Sequence, residues 1–184
     1  MIFAQHMLEV HGACQTSCDW VGNRDLRSAY LEMERGDWLL WYAARIGIDK
    51  KLIVSAACEC ARLNFGHLPE KENRPIKIIE AVEQWVQGQT DIQEIRDITE
   101  PLALIVEATK YDGPYAVHAI WAAAVYVARA TYTENSDCAS YSVSYAGSAI
   151  PTQRNKMLKV CADIVRKHIP VELIEQGYEK TKPP

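Results

Sequence analysis

Two segments of this chain, Leu52 to Leu63 and Tyr115 to Arg129, are apolar nearly all the way round a helical turn. A helix without a polar face can only sit inside other structure, so these two segments predict the centre of a helical bundle. No strand pattern competes with that reading. Tyr141-Ser142-Val143-Ser144-Tyr145 alternates with period two, but nothing else in the chain could pair with it. An isolated strand leaves its backbone groups without partners, and the segment is therefore read as helix.

Glycine, proline and capping residues divide the remainder into amphipathic segments, about eight helices in all. Gly22-Asn23 ends a first helix before Trp20, and Asn23 caps a short second one through Met33. Gly36-Asp37 opens a third, which Gly47 ends. Asp49 caps a fourth, running to about Phe65. Pro75 suits the first turn of a fifth, whose stripe Ile76, Ile79, Val82 and Val86 opposes Lys77, Glu80, Glu83 and Gln87. Thr90 begins the next, which Glu100-Pro101 kinks or restarts, and Asp112-Gly113-Pro114 breaks the chain before Tyr115 to Tyr132. A final helix opens at Pro151 and stops at Pro170, leaving Lys180 to Pro184 as a loose tail. Links of two to four residues and the absence of any long linker give one compact all-α domain over residues 1–184.

Composition narrows the function. A chain of 184 residues can bury roughly 70% of its unfolded surface without metals or disulfides. A net charge of −4, with no basic run beyond Lys50-Lys51, argues against nucleic-acid binding. The longest apolar run, Tyr115 to Arg129, is too short and too rich in alanine to span a bilayer. Residues 1–6 lack the form of a signal peptide, and a cytoplasmic protein is expected. The six cysteines read as small apolar fillers in a reducing compartment. Cys58 and Cys60 would point about 200° apart on a helix. The one metal site worth weighing, zinc on Cys14, Cys18 and His11, lacks the usual CxxC spacing. No nucleotide-binding, hydrolase or metalloprotease signature occurs, and neither a cofactor nor a catalytic residue is expected.

Three features could carry function. Ser55, Glu59 and Arg62 form one polar stripe on the apolar fourth helix, which predicts either a structural Glu59–Arg62 pair, extended to Arg74 or Asp163, or a polar pocket between helices. Lined by Glu59, Arg62, Arg74, Tyr115 and His118, such a pocket could sequester a nucleotide or other small anion, or use Glu59 or His118 as a base. Trp38, Trp41 and Tyr42 fall within one and a half turns: Trp38 and Trp41, sharing a face, either anchor the core or leave one of them exposed, with Arg45, as a protein-binding hot spot. His6 and His11 lie near one end and show no pattern.

The order of segments resembles a known family. GDWLLWYAARIGIDKKLIVSAACECARL, RPIKIIEAVEQWVQG and MLKVCADIVRKHIP resemble the immunity-protein-five-like family, small helical proteins encoded beside bacterial polymorphic toxins and also carried by phages. The similarity is best from Cys14 to Gly88 and from Met157 to Pro170. The block Arg74-Pro75, Glu80, Trp85 and Gly88 is its most distinctive part. The resemblance implies a protein that binds a cognate toxin or defence effector and occludes it, without catalysis of its own. The expected contact residues are Asp37, Trp41 and Arg45 on one helix and Arg74, Lys77 and Glu80 around the charged loop. Immunity proteins are often strongly acidic; −4 is only mildly so. A second copy of the chain is a further expected partner for exposed aromatics.

Overall fold

A computed structural model describes residues 6–7, 10–108, 115–135 and 137–181. All regular structure among them is helical, in ten α-helices: α1 (Gln15–Val21), α2 (Leu26–Glu32), α3 (Gly36–Arg45), α4 (Lys50–Arg62), α5 (Arg74–Val86), α6 (Ile92–Ala108), α7 (Tyr115–Tyr132), α8 (Cys138–Ser148), α9 (Arg154–His168) and α10 (Val171–Thr181). Short 3₁₀ turns at Phe65–His67 and Pro151–Gln153 complete the set. None of the described helices is long and apolar enough to cross a membrane.

Where the ends differ from expectation, side-chain capping decides. α2 is capped by Asp25, whose carboxylate accepts from the Ser28 N–H at 2.9 Å, and not by Asn23. Asp91 accepts from the Glu94 N–H at 2.9 Å, so α6 starts there and not at Thr90. α4 does begin at Asp49, which accepts from the Lys51 N–H at 2.7 Å, but it stops at Arg62, and Phe65 belongs to the 3₁₀ turn. Pro101 lies inside α6 without ending it. It faces solvent, where water can bind the carbonyl left without its usual donor. Pro170 closes α9 and also starts a helix: its carbonyl accepts from the Leu173 N–H at 3.0 Å, and α10 follows. That helix extends through Lys180 and Thr181, placed above in a loose tail; residues 182–184 and the break at Asp112-Gly113-Pro114 lie outside the described residues.

The stripe of α5 is turned by about one residue from the expected one. Pro75, Ile78, Ile79, Ala81 and Val82 are buried, whereas Ile76 and Val86 are half-buried. The period-two segment at Tyr141 is helical, with Ser142, Val143 and Ala146 inside.

The two apolar helices are central, as their composition requires. α4 buries Ile53, Val54, Ala56, Ala57, Cys58, Cys60 and Ala61, and α7 buries a run of alanines with Ile120, Val125 and Val127. α8 packs along α7 and also meets α3, α4 and α9. Small residues let these axes approach. At Gly36 a Cβ would lie 2.7 Å from the Cys161 carbonyl carbon and 2.8 Å from the Ala162 nitrogen, both backbone atoms of α9. At Gly147 it would lie 2.6 Å from Leu158 Cδ2. A flexible side chain can yield at the second site, but a helix backbone cannot at the first.

Gly36→Ala is therefore expected to cost about 1–3 kcal/mol, seen as a lowered urea midpoint. Gly66→Ala, where an added Cβ meets nothing within 4 Å, should stay within about 0.5 kcal/mol of wild type.

Candidate functional site

All five tryptophans are half-buried at the rim of the core, and each lies under a cation. Arg24 stands 4.4 Å from the Trp20 ring centroid, Arg35 4.5 Å from Trp38, Arg45 5.3 Å from Trp41, Lys51 5.6 Å from Trp85 and Arg74 4.9 Å from Trp121. The four arginines also bind carboxylates: Glu32, Asp37, Asp137 and Glu72 respectively. Each contact of this kind contributes only about 0.5–1 kcal/mol at an exposed site. Together they add to the core packing that already restrains each indole. Trp38 and Trp41 are half-buried and pack against the core, as the core-anchor reading of them requires.

These two tryptophans wall a cleft of about 300 Å³ between α3, α8 and the N-terminal residues Met7, Gly12, Cys14 and Ser17. Asp37, only 6% exposed, stands at its base in the first turn of α3, where the helix dipole favours an anion. Arg35 clasps Asp37 through two bonds, Nε to Oδ1 at 2.9 Å and Nη2 to Oδ2 at 2.6 Å. Asp137 and Tyr141 form the opposite side, and Arg45 donates to Asp137 Oδ1 at 2.8 Å. Asp37, Trp41 and Arg45 are thereby brought together at one place. Asp37 is not the open surface contact that was expected, since it is buried and already paired. Asp137 and Tyr141 were missed. The Arg35–Trp38 spacing of i, i+3 was a readable signal; the α8 contribution is tertiary.

Cys14 opens onto the same cleft, and its Sγ lies 3.5 Å from Ser17 Oγ, a contact that pulls the thiol below its ordinary pKa. Cys18 is buried, and burial pushes its thiol up. Among the described residues, Cys14, Cys18 and His11 do not form a group able to hold a metal ion, nor do any three other His, Cys, Asp or Glu side chains.

The remaining expected contacts lie elsewhere. Lys77 and Glu80 are exposed on α5. Arg74 reaches back to Glu72, with Nε to Oε1 at 2.9 Å, and stacks on Trp121.

The second candidate pocket is not assembled as expected. Glu59 and Arg62 do not pair. Glu59 accepts from Lys167 Nζ at 3.0 Å and meets His168 Nε2 at 2.7 Å; these partners, His168 first, hold its carboxyl below the usual range. Arg62 instead makes two 2.7 Å bonds to Glu83. Arg74 and Asp163 have their own partners, Glu72 and Arg166. Glu59 and Arg62 do line a common cleft of about 230 Å³ with Glu83 and His168, but its cations are already matched by carboxylates, which leaves little pull on an anion. Arg74, Tyr115 and His118 are absent from its lining. Tyr115 is 54% exposed, and His118 Nε2 contacts the Val106 carbonyl at 3.1 Å.

No protein-family model matches the chain, and neither a curated protein nor a solved structure matches it.

The histidines near the N-terminus prove informative. His6 is fully buried, its ring 4.8 Å from His11 and 4.7 Å from Tyr178, with His11 5.8 Å from Tyr42. Burial lowers the pKa of both from 6.5; a Thr181 backbone contact opposes this at His6, while His6 and Arg45 add to it at His11. A lowered native pKa means that the unfolded chain binds more protons, so this contribution to stability is present above pH 6.5 and lost as pH falls. The urea midpoint should therefore be level above pH 6.5 and decline between about pH 6.5 and 5, before the carboxylates titrate. A midpoint unchanged across that interval would contradict the placement of the pair.

Proposed function

We propose that this chain is a binding protein that neutralises a partner protein, a toxin or defence effector, by covering its working surface, and that it binds through the cleft between α3 and α8. The observation that carries this reading is the pair Trp38 and Trp41, each half-buried under an arginine that is itself held by a carboxylate, along one cleft. Tryptophan, tyrosine and arginine are enriched among the few residues that carry most of the binding energy at protein interfaces. Prior fixing of their rotamers lowers the entropic cost of association. α3 and α8 also belong to the packed centre of the fold, so the cleft is carried on a rigid frame. The choice of a toxin or effector as partner is supported by the resemblance of segments 36–63, 74–88 and 157–170 to immunity-protein-five-like proteins.

The test is affinity purification of the tagged chain from cells that carry its natural neighbours, followed by mass spectrometry of what is retained. Wild type should hold one protein in stoichiometric amount. Trp41→Ala and the more exposed Tyr141→Ala should each lose it by about tenfold or more, a hot-spot effect near 1.4–2 kcal/mol, while Glu59→Gln retains it. Retention unchanged in both aromatic variants, loss in folded Glu59→Gln, or a bound nucleotide in place of a protein would each overturn the reading.

A further inference from the structure

His6 is fully enclosed, an unusual place for an imidazole. Its ring stands edge-on to His11 at 4.8 Å and to Tyr178 at 4.7 Å, with planes 76° apart in both pairs. Neither nitrogen of His6, nor Nε2 of His11, has a hydrogen-bond partner among the described residues, and the backbone at Thr181 offsets the burial of His6 only in part. A phenylalanine would fill the same place without unpaired nitrogens. What histidine adds there is the capacity to take up a proton.

The residue beside His6 joins this pair to the cleft. Met7, 3% exposed, lines both the α3–α8 cleft and a small apolar hollow of about 20 Å³, whose other walls include Val21, Leu26 and Met33. Trp38 also lines both. Gly12, at φ +69°, turns the chain after His11, and the Ala13 N–H donates to the Met7 carbonyl at 3.0 Å, which ties Met7 to the segment that carries His11. Among the described residues, the groups that face the two imidazoles are neutral or positive. α3 presents Tyr42, 5.8 Å from His11, and Arg45; α10 presents Tyr178 and the Thr181 backbone. Arg45 is itself balanced by Asp137, and no described carboxylate acts on either ring.

We infer that His6 and His11 form an acid-operated latch: unprotonated, they hold Met7 in the wall between hollow and cleft, and protonation releases it and remodels the cleft. That this release regulates partner binding rests on the reading of the cleft as the binding face; the latch itself does not. A charge enclosed without a carboxylate is far less stable than the same charge in water, so proton uptake favours any conformation in which the ring is wetted. A proton on one ring repels a proton on the other, and the strain is relieved only when the rings part. Once Met7 withdraws, the wall it shares with Trp38 is reduced to Trp38 alone.

NMR of the full chain labelled with ¹³C-methyl methionine reads the latch without the partner. The Met7 methyl should move from its buried position to that of an exposed methionine between about pH 6.5 and 5, and Met33, in the hollow, should move with it. Met157 on α9 and the far-UV circular dichroism should stay unchanged. The double variant His6→Phe/His11→Phe should keep Met7 enclosed across that interval. His11→Phe alone, at a half-buried position, should leave a shallower transition, with one proton in place of two, and serves if the double variant does not fold. A Met7 methyl that holds its position from about pH 7.5 to 5, an unchanged transition in the variants, or loss of helix over the same interval would overturn the inference. Partner retention should fall about fivefold or more at about pH 5.5 in wild type and not in the double variant; equal loss in both would overturn the link to the cleft. If Met7 moves as expected while Trp41→Ala keeps the partner at neutral pH, the latch stands and the proposed function fails. If Trp41→Ala sheds the partner while Met7 stays enclosed, the latch fails and the binding face stands.

Discussion

The approach of α3 to α9 at Gly36 sets the position of everything that follows it. A methyl group at residue 36 would fall 2.7 Å from the Cys161 backbone, so α3 can begin where it does only because that residue has no side chain. From that start, one residue on, Asp37 is carried to the base of a cleft, and Trp38 and Trp41 are aligned along its wall. Comparable close contacts recur where Gly147 of α8 meets Leu158 of α9 and where Gly177 of α10 meets Ile46. The alanine-rich α7 serves the same end, letting α8 pack closely along it. Close packing of this kind is intolerant of added volume, which makes the frame of the cleft stiff.

The surface of the frame follows a different rule. Its ion pairs are mostly exposed, and pairs of that kind contribute between nothing and about 1 kcal/mol each. They do not account for the stability of the fold. Their effect is on conformation: Arg35 and Arg45 are each held by an indole and a carboxylate, and the tryptophans they cover lose rotational freedom before any partner arrives. A binding surface with few rotamers left to freeze gives up less entropy on association. The carboxylates of Glu59 and Glu83 likewise match the cations beside them, and those pairs join α4 to α9 and α5.

Local information was sufficient for much of the architecture. The all-round apolarity of Leu52 to Leu63 and Tyr115 to Arg129 marked the centre of the bundle, and Asp49 and Gly47 marked helix ends that the structure contains. Where two cap residues competed within a few positions, as with Asn23 and Asp25, the sequence alone could not rank them. α10 was hidden by Pro170, which stops one helix and starts the next, although Val171, Ile174 and Gly177 carry a helical period. The site was less legible because its decisive contacts are distant in sequence. Glu59 and Arg62 share a helical stripe, yet Lys167 and His168 claim the first and Glu83 the second. The α3 half of the cleft could be read from Asp37, Trp41 and Arg45; Asp137 and Tyr141 enter only because α8 folds across α3.

We propose that recognition takes place on the α3–α8 face. Hydrogen–deuterium exchange of the chain, alone and in complex with the protein it retains, addresses this most directly. Slowed exchange is expected over residues 36–45 and 137–148 and over the 12–17 segment that lines the same cleft, with the segments around Glu59, Glu83 and His168 unchanged. Protection centred on those latter segments, with α3 and α8 exchanging as in the free chain, would contradict it.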